Sequence, residues 1–224
     1  DWLKTVAATF LRQSGRLPLR IRGEDVWRKT FRLRRRRLTF FLVDASGSMA
    51  GFRRMAQVKG AVLALAETAY RRRDWMALAT FRNGRMEVLQ PPTRRIDAVK
   101  KALEALVTGG DTPLALGLNK SREWLRRWCK KQPNWRPHLI LFSDGRVNTT
   151  VGHGASGVSS AFAEVLAAAR LLAADGISGA VVDTEGGWFR FGGARRIAEA
   201  MHVPCYTLEQ LTADEPSGRR SVVG

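Results

Sequence analysis

Acidic residues are scarce in this chain. Among 224 residues, 20 Asp and Glu stand against 38 Lys and Arg, leaving a formal charge of +18. Such a field favours an acidic protein face, nucleic acid or an anionic membrane, and charge alone does not choose among them. Long apolar runs are missing, and nothing approaches the ~20 residues that span a bilayer, so no membrane role is expected. The first residues, Asp1-Trp2-Leu3-Lys4, carry no charged-then-apolar leader, so nothing indicates export and a cytoplasmic setting is expected. An aspartate in first place suggests a trimmed chain with sequence upstream. The two cysteines, Cys129 and Cys205, lie far apart and outside any C-x-x-C, which reads as two thiols in a reducing compartment.

Catalytic signatures are missing too. No G-x-x-x-x-G-K-[ST] occurs, which excludes a P-loop nucleotidase at the motif level, and Gly192-Gly193 lacks the dinucleotide spacing. A Ser–His–Asp triad would have to draw on His138, His153 or His202, and no serine sits in a nucleophile elbow. The chain by itself is therefore expected to be non-catalytic.

What the chain does have is Phe40-Phe41-Leu42-Val43-Asp44-Ala45-Ser46-Gly47-Ser48-Met49. An apolar run of strand length breaks into one carboxylate and two hydroxyls at alternate positions. Alternation aims several side chains at one point beyond a strand end. Hard divalent cations such as Mg²⁺ prefer oxygen donors of this kind and retain some water. Two further stretches supply the same chemistry. Gly109-Gly110-Asp111-Thr112-Pro113-Leu114 places a hydroxyl on a loop before a helical pattern, and Leu139-Ile140-Leu141-Phe142-Ser143-Asp144-Gly145 is a second apolar strand ending in a carboxylate.

The rest of the pattern alternates strand and helix from Leu38 onward. Strands are expected at 38–43, 75–81, 137–142, 177–182 and 203–207, and helices at 54–70, 94–106, from Pro113 to about Trp128, 159–174 and 194–201. Asn83-Gly84 signals a hairpin into an antiparallel edge strand at 85–89, ended by Pro91-Pro92. Residues 145–157 read as a long loop. The fold class that follows is α/β: a doubly wound, mostly parallel sheet with one antiparallel edge strand and helices on both faces. Ligands of such sheets bind beyond the carboxyl ends of the strands, where Asp44, Thr112 and Asp144 all fall.

Residues 1–37 read as a separate basic extension, with 12 Lys/Arg against 3 Asp/Glu. Trp2, Leu3, Val6, Phe10 and Leu11 recur at helical spacing. The stretch Gly15–Arg22 alternates apolar and basic residues and suits an edge strand or an extended segment. A break or short helical turn follows at Glu24–Arg28. The run Arg34–Arg37 reads as a solvated lead-in or a docking arm for an acidic surface; a nucleic-acid role is disfavoured for want of interleaved aromatics. Residues 38–211 form the expected main domain and 212–224 a loose tail.

D-x-S-x-S, then a loop threonine, then S-D-G after a later strand, resembles the von Willebrand factor A family. That resemblance implies a metal-ion-dependent adhesion site with Asp44, Ser46, Ser48, Thr112 and Asp144 as metal residues, holding Mg²⁺ or another divalent cation such as Mn²⁺. An acidic side chain of a partner would complete the shell, which makes the site a binding device. Further stretches narrow the likeness: Ala69-Tyr70-Arg71-Arg72-Arg73-Asp74, Leu89-Gln90-Pro91-Pro92-Thr93 and Val182-Asp183-Thr184-Glu185-Gly186-Gly187. These resemble the C-terminal region of magnesium chelatase D subunits and their short relatives, from about Gly15 to Leu211. The implied function is an accessory module that docks an AAA+ ATPase subunit, alongside a large catalytic subunit, in ATP-driven insertion of magnesium or cobalt into a tetrapyrrole. The AAA+ half and acidic linker of the full-length subunit are not in this sequence. Two alternatives stay open: an adhesion-type module of another ATPase-linked assembly, and a basic binder of anionic surfaces or nucleic acid. Asp183 and Glu185 read as a polar loop at the same sheet edge, with binding of basic groups or of a second ion as alternatives.

Overall fold

The computed structural model describes residues 2–27, 36–46, 52–147, 155–186 and 191–212. Contacts divide the chain into two units, Asp1–Arg34 and Arg35–Gly224.

The first unit is built on one ion pair. Helix α1 (Trp2–Arg12) is followed by a 3₁₀ turn at Gly23–Asp25. Arg12 donates from Nε and Nη2 to the two Asp25 oxygens at 2.8 and 2.7 Å, and Nη2 also reaches the Arg20 carbonyl. That pairing, with the Arg22 amide, holds the Asp25 carboxyl well below the usual carboxylate range. The face of α1 that is covered carries Thr5 and Thr9, whereas Trp2, Leu3 and Leu11 are exposed. Hydroxyls can be buried here because they are bonded: Thr9 Oγ1 donates to the Thr5 carbonyl and Thr5 Oγ1 accepts the Trp27 amide. Gly15–Arg22 forms no strand.

The second unit is a six-stranded sheet in the order β3-β2-β1-β4-β5-β6. Its strands are β1 (Arg36–Asp44), β2 (Trp75–Arg82), β3 (Arg85–Thr93), β4 (Trp135–Ser143), β5 (Ser178–Asp183) and β6 (Cys205–Thr207). All pairings are parallel except β2 with β3. The helices are α2 (Phe52–Arg71), α3 (Ile96–Glu104), α4 (Leu114–Lys131), α5 (Ala155–Ala174), α6 (Gly193–Met201) and α7 (Leu208–Thr212). Helix α5 begins four residues earlier than its sequence pattern suggests, inside the expected loop.

Alternation along β1 builds two cores. Leu38, Phe40 and Leu42 face α4, α5 and α6, while Phe41 and Val43 face α2, α3 and α7. Central strands buried on both faces read as continuous apolar runs for this reason. Near the amino ends of the strands, Trp75, Trp135, Trp128 and Trp124 stack in series with centroids 5.1–5.9 Å apart, and Trp124 meets Phe40 at 4.8 Å.

The hairpin turns through Asn83 and Gly84, both at positive φ, as a two-residue primed turn requires. Strand β3 does not end at the prolines. It continues through Pro91-Pro92 to pair Thr93 with Met76, after register shifts near Leu78. Successive strand residues present their amide positions to opposite sides, so one proline faces the open margin and the other falls in the irregular stretch between the Thr93–Met76 and Gln90–Leu78 pairs, where the ladder is already interrupted.

Candidate metal centre

Strand order reverses between β1 and β4, so the crevice past their carboxyl ends is the topological switch point. Asp44 ends β1 there. It is fully buried, accepting the Ser46 amide on Oδ1 at 2.9 Å and the Ser143 hydroxyl on Oδ2 at 3.0 Å. Burial pushes its pKa up to about 6. The hydrogen bonds from Ser46 and Ser143 oppose that rise, and the nearby Asp144 carboxylate adds to it. Two carboxylates thus share a desolvated corner, an arrangement that a cation would relieve.

Asp144 follows β4. Its Oδ1 accepts the Arg146 amide at 3.0 Å, closing a tight turn through Gly145 at positive φ. A Cβ on Gly145 would run into the backbone of Gly193 and Ala194, so glycine is required both for space and for conformation. Thr112 lies in the loop before α4. That loop is tied down on two sides: the Gly109 amide donates to the Ala45 carbonyl at 2.8 Å, and Asp111 exchanges hydrogen bonds with Asn83 at the hairpin tip.

Among the described residues, three buried side-chain atoms have no hydrogen-bond partner: Thr112 Oγ1, Asp144 Oδ2 and His138 Nε2. Buried polar atoms are nearly always satisfied, so an orphan calls for an explanation. Two of these are oxygens from residues singled out in the sequence, and both belong to loops at the Asp44 end of the sheet. With the Asp44 carboxylate these residues offer oxygen donors only, a chemistry that fits a hard divalent cation. No group of three or more His, Cys, Asp or Glu side chains suited to a metal occurs among the described residues, so a metal here would rely on hydroxyls and water as well.

The structure therefore brings Asp44, Ser46, Thr112 and Asp144 to one edge of the sheet. Ser46 is buried beside Asp44; Ser48 lies outside the described residues. Two residues of the site are absent from the motif-based list. Ser143 holds Asp44 and accepts the Gly145 amide at 3.1 Å; its signal was a hydroxyl one position before Asp144 at a strand end. Arg146 lies with Nε 3.8 Å from Asp144 Oδ2 and Nη2 3.1 Å from Glu185 Oε1, and only the fold puts Glu185 beside it. Asp183, Thr184 and Glu185 are all buried, and the Thr184 amide donates to the Ser143 carbonyl, which joins the ends of β4 and β5.

The six-stranded, mostly parallel sheet is the architecture of von Willebrand factor type A domains, and the chain belongs to that family: its domain model matches residues 39–146. The chain is similar to the magnesium-chelatase 67 kDa subunit of Chlorobaculum tepidum, 34% identical over 86% of this chain and 32% of that protein. It is also similar to an uncharacterized protein of Methanocaldococcus jannaschii, 33% identical over 75% of this chain and 93% of that one. The chain spans about a third of the length of the longer curated relatives it matches. The VWA domain of SpRpn10 shares the fold, with a TM-score of 0.59 at 14% identity over 84% of this chain and 99% of that one. No helix among the described residues is long and apolar enough to cross a membrane.

Proposed function

We propose that the chain is a metal-dependent interaction module of a chelatase-type assembly. Asp44, Ser46, Ser48, Thr112 and Asp144 would hold Mg²⁺ or a similar cation, directly or through water. The observation that carries this reading is the pair of orphaned buried oxygens, Thr112 Oγ1 and Asp144 Oδ2, at the edge where Asp44 is desolvated. The similarity to magnesium-chelatase subunits supports the choice of assembly.

The bound cation would supply positive charge at a point where an incoming Asp or Glu can add a ligand. With few formal charges in the set, cation affinity is modest, and the partner's carboxylate strengthens it. The excess of Lys and Arg steers an acidic face towards the module. The occupant expected is an acidic residue on an AAA+ ATPase subunit, with the large chelatase subunit in the same assembly. This function is non-catalytic; the ion held here is distinct from the ion delivered to the tetrapyrrole.

The test is capture of AAA+ chelatase subunits by the tagged chain in Mg²⁺, in EDTA, and with Asp44→Ala. Capture in Mg²⁺ that is lost in both other arms is the expected result. Capture indifferent to both sinks the metal bridge and moves docking to another surface.

A further inference from the structure

Arg146 lies at the rim of the metal centre, yet the reading above gives it no part. Its guanidinium has two carboxylates within reach. Glu185 Oε1 is at 3.1 Å, within hydrogen-bond distance, while Asp144 Oδ2 is at 3.8 Å and receives no hydrogen bond from the described residues. The two carboxylates differ in how firmly they are fixed. Glu185 is anchored from three directions: Oε2 accepts the Phe191 amide at 2.7 Å, its own amide donates to Asp183 Oδ1 at 2.8 Å, and its side chain is almost wholly buried. Arg146 is half-exposed, and its guanidinium covers the Phe191 ring at 4.8 Å. A second guanidinium, that of Arg54, lies 3.2 Å from where a Gly186 Cβ would stand, so the Asp183–Gly186 segment has a cationic side chain on each flank.

We propose that Arg146 is a resident counter-cation for Asp144, drawn off that carboxylate by Glu185, and that this ion pair sets how tightly the centre holds a divalent cation. The inference rests on the metal reading above. A divalent ion and a guanidinium compete for the same Asp144 oxygen, because like charges a few ångströms apart repel. Glu185 decides the competition by holding the guanidinium 3.1 Å from itself. Deprived of that partner, Arg146 needs to shift by about one ångström to bond Asp144 Oδ2, to which none of the described residues donates. The Asp-Thr-Glu-Gly stretch thereby acquires a role: it presents a fixed carboxylate that keeps a metal residue available.

The experiment is Mn²⁺ binding to the full 224-residue chain, read by electron paramagnetic resonance with Mg²⁺ competition. It compares wild type, Arg146→Gln, Glu185→Gln and the double variant, each checked for folding by circular dichroism. Arg146→Gln should tighten Mn²⁺ roughly three- to tenfold, from loss of a competing charge. Glu185→Gln should weaken it by roughly tenfold, the scale of a support removed from a metal ligand. The double variant should match Arg146→Gln within about twofold, because Glu185 acts through Arg146. An equal loss from Glu185→Gln in both backgrounds overturns the proposal in favour of the direct field of Glu185. Weaker binding by Arg146→Gln overturns it as well, and needs only that one variant. No Mn²⁺ binding by wild type overturns the metal reading and this inference together.

Discussion

The two ends of the sheet each bury a titratable group, and they do so in opposite electrostatic settings. Asp44 ends β1 at the carboxyl edge, beside a second carboxylate. His138 lies towards the amino end of β4, facing Arg37 and Arg72, with its Nδ1 3.0 Å from Ser178 Oγ. Burial drives both towards neutrality, Asp44 up to about 6 and His138 down to about 4, and in each case neighbours of like charge add to the shift. The difference lies in what could relieve them. Around Asp44 the unpartnered atoms among the described residues are oxygens of the kind a cation binds, whereas at the other end the unpartnered atom is His138 Nε2, on the sheet face opposite Trp135. The first end gathers oxygen donors from separate loops, while the second is dominated by the tryptophan stack, so the comparison separates candidate binding residues from residues that decide stability.

The largest effect should come from Asp44→Asn, which removes one of the two proposed carboxylate ligands while keeping its shape. Divalent-cation affinity should fall by at least about a hundredfold by calorimetry, with little loss of metal-free stability. A large loss of stability without a change in cation binding would collapse the distinction between the ends. At the other end, Trp135→Ala takes a buried ring out of the stack. It should cost about 3–5 kcal/mol in denaturant unfolding and leave cation affinity within about twofold. A parallel loss of affinity would show that packing at one end governs geometry at the other.

Opposite pH slopes sharpen the contrast. Asp44 keeps a proton in the metal-free fold that the unfolded chain has released between about pH 4 and 6, so its contribution to stability falls as pH rises through that window. His138 stays neutral while the unfolded chain takes up a proton, so its contribution is complete above about pH 6.5 and is lost as pH falls towards 4. The two are of similar size, about 3 kcal/mol each at most, and largely cancel in wild type. Asp44→Asn should expose a stability that rises with pH, and His138→Gln one that falls. Slopes of the same sign in both variants would refute the assignment. Smallest of all is the effect expected in the first unit, where Asp25→Asn removes the partner of Arg12. Amide exchange across Trp2–Trp27 should speed up measurably, and unchanged exchange would mean that the ion pair orders nothing.

Much of this was legible in the residues themselves. Continuous apolar runs located the central strands and stripes of period 3.6 located the helices between them, because burial on both faces of a strand leaves a strong pattern. The alternation of Asp44 and Ser46 and the strand end before Asp144 pointed to the sheet edge where the structure puts these residues. What stayed hidden were relations between distant segments. Nothing local says that Ser143 will reach Asp44 or that Arg146 will meet Glu185, since each pairing depends on which strands become neighbours. The tryptophans at 75, 124, 128 and 135 show no common period and are assembled by strand order alone. The reading of β3 failed for a different reason. Pro91-Pro92 breaks a central strand but not a margin, and position in the sheet is a tertiary fact.

Those prolines have an effect on self-association. A sheet grows by adding strands at its margins, and each margin needs free amides to do so. Along β3, Pro91 and Pro92 carry no amide, and since successive residues face opposite sides one of them removes a donor from the open margin. At the opposite margin, β6 presents three residues, Cys205–Thr207. A sheet interrupted on one side and open for so short a length on the other makes a poor template for fibre growth, so copies of this chain can be concentrated with less tendency for their sheets to join edge to edge.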